Sequence, residues 1–287
     1  MKAKPKIIVI LGQTATGKSD LAVKIAKKIK GEIISADSRQ VYTGLDIGTG
    51  KITKKEMKDV PHYLLDVANP NKKFTVTEFQ KQAFEKIEDI IARGRNPIIC
   101  GGTGFYIDAI TKGVVFPEVP PNTKLRKELE KKNAEQLLKI LQKLDKDRGK
   151  NIDAKNKVRL VRAIEIAKAL GKVPKIQEEE SKYKFIKIGL TLPIEDLQKK
   201  VTKRVGQMFK EGLLKEIAKL KKMKVSDKRL KELGFEYYKP TPESVISESI
   251  KYAKRQMTWF KRDKEIKWFS PTQFKKIEEY IKKQLPK

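Results

Sequence analysis

Residues 12–19 read Gly12-Gln13-Thr14-Ala15-Thr16-Gly17-Lys18-Ser19, directly after the apolar run KIIVIL (6–11) and before DLAVKIAKKI. Glycine, four residues, then Gly-Lys-Ser between a strand and a helix is the P-loop pattern. Glycines let backbone N–H groups close around an anion, the helix start adds its positive dipole, and Lys18 adds a point charge. Ser19 is the hydroxyl that can ligate Mg²⁺. The motif fixes a phosphate site but leaves open whether the phosphate belongs to a nucleotide or a diphosphate. A hydrolase or kinase of this kind also places a carboxylate at the end of another strand to hold its metal. Here NPIICG (96–101) runs into Gly101-Gly102-Thr103-Gly104, which offers none. The acid follows EIISA (32–36) instead: Asp37, in SADSRQVYTGLDIGTGK, at the sheet edge where open α/β sheets bind ligands. In that place Asp37 either forms a turn or accepts a proton from a second substrate.

These residues need a scaffold. Runs 6–11, 32–36 and 96–101 predict buried parallel strands. Helical patterns at 19–30 and 75–93 separate them, the second opening on the capping pair Thr75 and Glu78 and stopping at Gly94. This alternation predicts an α/β fold, a P-loop NTPase-like parallel sheet flanked by helices. After the proline-rich FPEVPPN the pattern turns helical, with helices over 122–145 and 153–170, before strand-like FIKIGLTL (185–192) returns to the sheet. The expected organisation is a catalytic core of residues 1–117 and 185–287, with a helical insertion domain at 118–184. Further helices are predicted at 194–222, 242–262 and 271–284, and a mobile loop at 175–184.

Lys and Arg total 66 against 36 Asp and Glu, a net charge of +30 spread along the chain. Such an excess points to a polyanionic partner, nucleic acid foremost. One cysteine, Cys100, and one histidine, His62, exclude a disulfide framework or a Cys/His zinc site within one chain. No apolar run reaches the length of a membrane span, and the basic, briefly apolar N-terminus lacks a cleavage site, so a cytoplasmic protein is expected.

The P-loop, ADSRQVYTGLDIGTGK, PHYLLDV (61–67), GGTGFYIDAI (101–110), VRLVRAIE (158–165) and AKRQMTWFKR (253–262) follow one another in that order. Together they resemble the tRNA dimethylallyltransferases, or tRNA isopentenyltransferases, over about residues 6–270. The resemblance implies transfer of a dimethylallyl group from dimethylallyl diphosphate to N6 of the adenosine 3′-adjacent to the anticodon, with Mg²⁺ as cofactor. It implies that Lys18 and the P-loop hold the diphosphate, that Arg204 reaches it, that Asp37 is the general base, and that Thr103 lies near the reaction channel. Arg255 and Gln256 are further candidates there. For the anticodon stem-loop of the tRNA partner it implies contacts from Asp37, Ser38, Arg39, Gln40, Thr103, Arg126, Val158, Arg159, Leu160, Val161 and Arg162. A stacked adenine has to flip out to react. No membrane is involved, and a monomer is expected.

The chain departs from the family pattern at Gln13, where proline is common, at Gly50, where alanine is usual, and at Tyr63, where a second histidine or another polar residue is frequent. KELGFEYYKP (231–240) matches only loosely and carries no expected role. Two other readings fit parts of the chain: a P-loop kinase or NTPase acting on a small metabolite, and a non-catalytic RNA-binding protein with a relic phosphate site.

Overall fold

Alternate residues of KIIVILG point to opposite faces, and both faces are apolar: Ile7, Val9 and Leu11 enter one buried cluster, Ile8 and Ile10 another. A strand buried on both sides belongs in the middle of a covered parallel sheet. The computed structural model, which describes residues 4–175 and 177–285, places it there.

The chain begins with β1 (Lys6–Gly12), α1 (Lys18–Ile29), β2 (Gly31–Ser35), α2 (Lys54–Met57), β3 (His62–Tyr63), α3 (Val76–Ala92), β4 (Asn96–Cys100) and α4 (Gly104–Thr111). A second group follows: β5 (Val114–Val115), α5 (Thr123–Glu130), α6 (Ala134–Leu144), α7 (Lys146–Lys150), α8 (Lys157–Leu170) and β6 (Gln177–Glu178). The chain then runs through β7 (Lys184–Leu190), α9 (Ile194–Glu211), α10 (Leu213–Lys222), α11 (Asp227–Leu233), α12 (Pro242–Phe260), β8 (Lys267–Phe269) and α13 (Phe274–Gln284).

Two compact units result. One holds the described residues up to Gly113 and from Glu180 onward; the other is Val114–Glu179. The first contains a six-stranded sheet in the order β3-β2-β4-β1-β7-β8, every pairing parallel. Leu21, Ile25 and Ala26 of α1 pack on one face with Ile277 and Ile281 of α13. Phe79, Ala83, Ile87 and Ile90 of α3 pack on the other with Ile107 and Ile110 of α4. The loops leaving the carboxyl ends of β1, β2 and β4 are the P-loop, the Asp37 segment and Gly101–Gly104, so the sheet order brings the three sequence motifs to one edge.

The second unit is a helical bundle around Leu125, Leu129, Leu137, Leu141, Leu160 and Ile164. It starts and ends earlier than 118 and 184, because Val114 and Val115 pair antiparallel with Glu178 and Gln177. That ribbon also replaces part of the loop expected at 175–184, within which residue 176 lies outside the described residues. The single helix expected over 122–145 is two, α5 and α6, since the capping box of Asn133 and Gln136 starts a new helix. Likewise 194–222 divides at Gly212, which ends α9. Strand β8 and the short β3 were not expected; three- and two-residue strands leave little periodic signal.

Candidate active site

The P-loop owes its shape to tethers on both sides. Gly12 has φ 133°, and a Cβ there would collide with the Leu190 backbone, so only glycine fits. Gln13, in the place of the more common proline, is buried, and its Oε1 accepts from Thr191 Oγ1 (3.2 Å) and the Leu192 N–H (3.1 Å). The Gln13 carbonyl accepts from Thr16 Oγ1 (2.8 Å) and from Lys18 Nζ (2.6 Å). From the other side Gln256 of α12 accepts the Thr14 N–H at 2.7 Å and donates to the Gly102 carbonyl at 2.9 Å. One amide thus clamps the P-loop to the loop after β4.

Around this loop lies a cavity of about 150 Å³. Thr14, Ala15, Gly17, Lys18, Ser19 and Gly102 line it, together with Asp37, Gln40, Thr49, Arg204 and Gln256. Desolvation pushes the Lys18 ammonium down to about 8, with nearby Arg204 acting in the same sense and Asp37 against it. Burial likewise lowers the Arg204 guanidinium, opposed by the charge of Asp37. Two cations are therefore held in a site that disfavours them until an anion arrives. Arg204 donates to the Thr49 carbonyl at 2.9 Å and approaches Thr14 Oγ1 at 3.4 Å. A Cβ at Gly50 would overlap that guanidinium, so alanine there would require the Arg204 side chain to shift.

Asp37 follows β2. Its Oδ1 accepts the Arg39 N–H (2.8 Å) and the Gln40 N–H (3.3 Å), so it does form the turn, and Oδ2 is the oxygen left for a substrate. Thr103 Oγ1 accepts the Ser38 N–H at 3.0 Å and approaches Ser38 Oγ at 3.3 Å, tying the loop after β4 to the Asp37 segment. Thr103, Ser38 and Arg39 brace the site from outside the cavity wall, whereas Asp37 and Gln40 form part of the wall.

Some expected residues do other work. Gln256 lines the cavity, but Arg255, the next residue on α12, faces outward and lies over the Tyr252 ring; consecutive helical residues point in different directions. Arg126, Val158, Arg159, Leu160, Val161 and Arg162 belong to the helical unit. There Arg126 makes two bonds to Glu165, at 2.9 and 2.7 Å, and Arg162 bonds Glu165 and the Val119 carbonyl. Leu160 is fully buried. Arg126 thus locks α5 to α8 and Arg162 ties α8 to the segment before α5, while Arg159 and Val158 are exposed.

Sequence reading also missed a supporting layer. Glu216 of α10 accepts N–H bonds from Asp46 (3.0 Å), Ile47 (2.7 Å) and Gly48 (3.0 Å), and a hydroxyl bond from Tyr237 (3.0 Å). It holds the loop whose Thr49 carbonyl receives Arg204. Its signal was an acid at a buried position among Leu213, Ile217 and Leu220 on one helix face. Glu236, in the loosely matching segment, is pushed up to about 7 by burial, against Arg39 and Arg204.

A magnesium ion fits the donors present. Among the described residues there is no cluster of three or more His, Cys, Asp or Glu, but Ser19 and Asp20, which line the cavity, carry oxygens of the kind the ion takes. Mg²⁺ typically takes one or two such ligands and completes its shell with water and substrate phosphates.

The profile of the IPP transferase family matches residues 40–263. The chain is 37% identical to the tRNA dimethylallyltransferase of Anoxybacillus flavithermus, over 93% of this chain and 91% of that one. It belongs to this family. The enzyme of the same name from Halothermothrix orenii is 38% identical over 96% and 92% of the two chains. The crystal structure of the tRNA isopentenylpyrophosphate transferase of Bacillus halodurans superposes with a TM-score of 0.73 at 33% identity, covering 98% and 97%. The IPP transferase match begins at Gln40 and so excludes the P-loop, but the relatives align over nearly the whole chain.

Proposed function

We propose that the chain transfers the dimethylallyl group of dimethylallyl diphosphate to N6 of the adenosine 3′-adjacent to the anticodon of tRNA, releasing diphosphate. The observation that carries this reading is one cavity wall that holds both an anion cradle, Lys18 and Arg204 with the P-loop, and the carboxylate Asp37.

Breaking the allylic C–O bond gathers negative charge on the departing diphosphate and positive charge on the allyl carbon. Lys18, the P-loop amides and Arg204 receive the negative charge without reorganising, because their positions are fixed beforehand. Ser19 would hold Mg²⁺ together with oxygens of the diphosphate, where the ion supplies further neutralisation of the leaving group. The adenine amine is a poor nucleophile, since its lone pair is delocalised into the ring. Asp37 Oδ2 accepts its proton as the N–C bond forms, a role worth about 10²–10⁴-fold. The turn bonds to Oδ1 fix the direction in which that oxygen points. Arg159 and the surrounding lysines of the helical unit grip the RNA through its phosphates, with exposed Val158 beside them. With tRNA as its substrate the chain would act in the cytoplasm. Among the described residues no helix is long and apolar enough to cross a membrane.

Incubation of unmodified tRNA with labelled dimethylallyl diphosphate, followed by nucleoside mass spectrometry, tests the reading. It predicts one dimethylallyl adenosine per anticodon arm. Vigorous ATP turnover with unmodified RNA would favour a P-loop kinase or NTPase instead.

A further inference from the structure

Of the described residues that line the cavity, only Tyr252 is a Phe, Tyr or Trp. It lies one turn before Gln256 on α12, and Gln256 bonds Thr14 and Gly102, so the two side chains share the face of the helix turned to the site. Its neighbours set the ring on the Asp37 side. Burial pushes the phenol up, the charge of Asp37 adds to that, and a hydrogen bond with Thr103 opposes it. Thr103 in turn accepts the N–H of Ser38, the residue after Asp37, at 3.0 Å. The guanidinium of Arg255 lies over the ring, 5.8 Å from its centre. Arg255 is exposed and Tyr252 half-buried. An aromatic plate thus stands in the cavity wall with a cation on one face.

The reaction proposed above needs such a plate. The lone pair of the adenine amine is delocalised into the ring, so it reacts perpendicular to the ring plane. The allyl carbon therefore has to meet N6 from one face of the base. A proton acceptor at N6 alone leaves a flipped adenine free to pivot, and misplacement costs rate steeply. A flat group against the opposite face removes that freedom. We propose that the face of Tyr252 turned away from Arg255 stacks against the flipped adenine and holds its N6 between Asp37 and the allyl carbon. This rests on reading the cavity as the transfer site. Tyr252 exchanges no proton in this role; it orients the base. Stacking of one base on an aromatic side chain is worth about 5- to 150-fold in affinity.

A cycle of two proteins and two RNAs tests it. Fluorescence anisotropy, without donor, compares the unaltered protein and Tyr252→Leu on anticodon arms carrying adenosine or an abasic ribose at the reactive position. Tyr252→Leu should weaken binding of the adenosine arm about tenfold or more, and of the abasic arm less than about twofold. Tyr252→Phe keeps the ring and should stay within about twofold on both arms. A second measurement uses the unaltered protein alone: irradiation of an arm with 8-azidoadenosine at that position should label Tyr252, located by peptide mass spectrometry. Equal losses on the two arms, or a label confined to other residues, would overturn the inference. Unchanged binding by Tyr252→Leu with slower single-turnover transfer would also overturn it, since the ring would then face the allyl carbon. Transfer of labelled dimethylallyl to the adenosine arm by the unaltered protein separates the two readings. Where transfer occurs, such results remove Tyr252 alone; where it does not, the proposed function falls and this inference with it.

Discussion

Lys18 shows how one residue reports on the site. Its ammonium is held near 8 by desolvation, so it is charged at neutral pH at some cost, and a bound diphosphate relieves that cost. Folded-state lowering means the free site loses its charge as pH rises through about 8, and diphosphate affinity should weaken up to tenfold per unit beyond that point. Titration of diphosphate binding against pH checks this, and Lys18→Ala should bind weakly with no inflection there. Glu236 has the opposite sense. Its folded value is raised to about 7, so it favours the folded state below the ordinary carboxylate range, and that contribution is lost as pH climbs to about 7. Glu236→Gln should flatten the fall in stability across that window, as measured by urea midpoints.

At the scale of elements, the site is three loops at the carboxyl edge of β1, β2 and β4, and these were readable because each follows a short isoleucine-rich run. The capping box of Thr75 and Glu78 likewise marked the start of α3, and both bonds are present at 3.2 and 2.7 Å. What the sequence hid was long-range pairing. Nothing local ties Gln13 to Leu192, Glu216 to the amides of 46–48, or Arg126 to Glu165, 39 residues away. For the same reason the bonds of Arg126 and Arg162 to the buried Glu165 carboxylate were not readable from their spacing. Glu216 is a positioning residue in this layout, and its loss leaves three N–H groups without an acceptor. Glu216→Ala should therefore destabilise the chain by about 1–3 kcal/mol. It should also raise KM for the diphosphate through Arg204, while RNA affinity measured separately stays near its original value.

For the whole molecule, a +30 charge dominates the encounter with RNA. Binding to an anticodon arm should fall steeply with salt, and each phosphate contact removed should lower the slope by about one. Arg159→Ala is the cleaner test, since Arg162→Ala would also strip a partner from Glu165; filter binding across a salt series reads it. An isolated anticodon arm should remain a substrate.

The central claim is that Asp37 Oδ2 relieves the attacking amine of its proton while the cradle holds the leaving group. Single-turnover transfer by Asp37→Asn, at saturating donor and RNA, tests it most directly. Transfer should drop about 10²–10⁴-fold, with the Kd values for diphosphate and RNA within a few-fold of the original. Transfer at the original rate, with both ligands bound as before, would contradict the account.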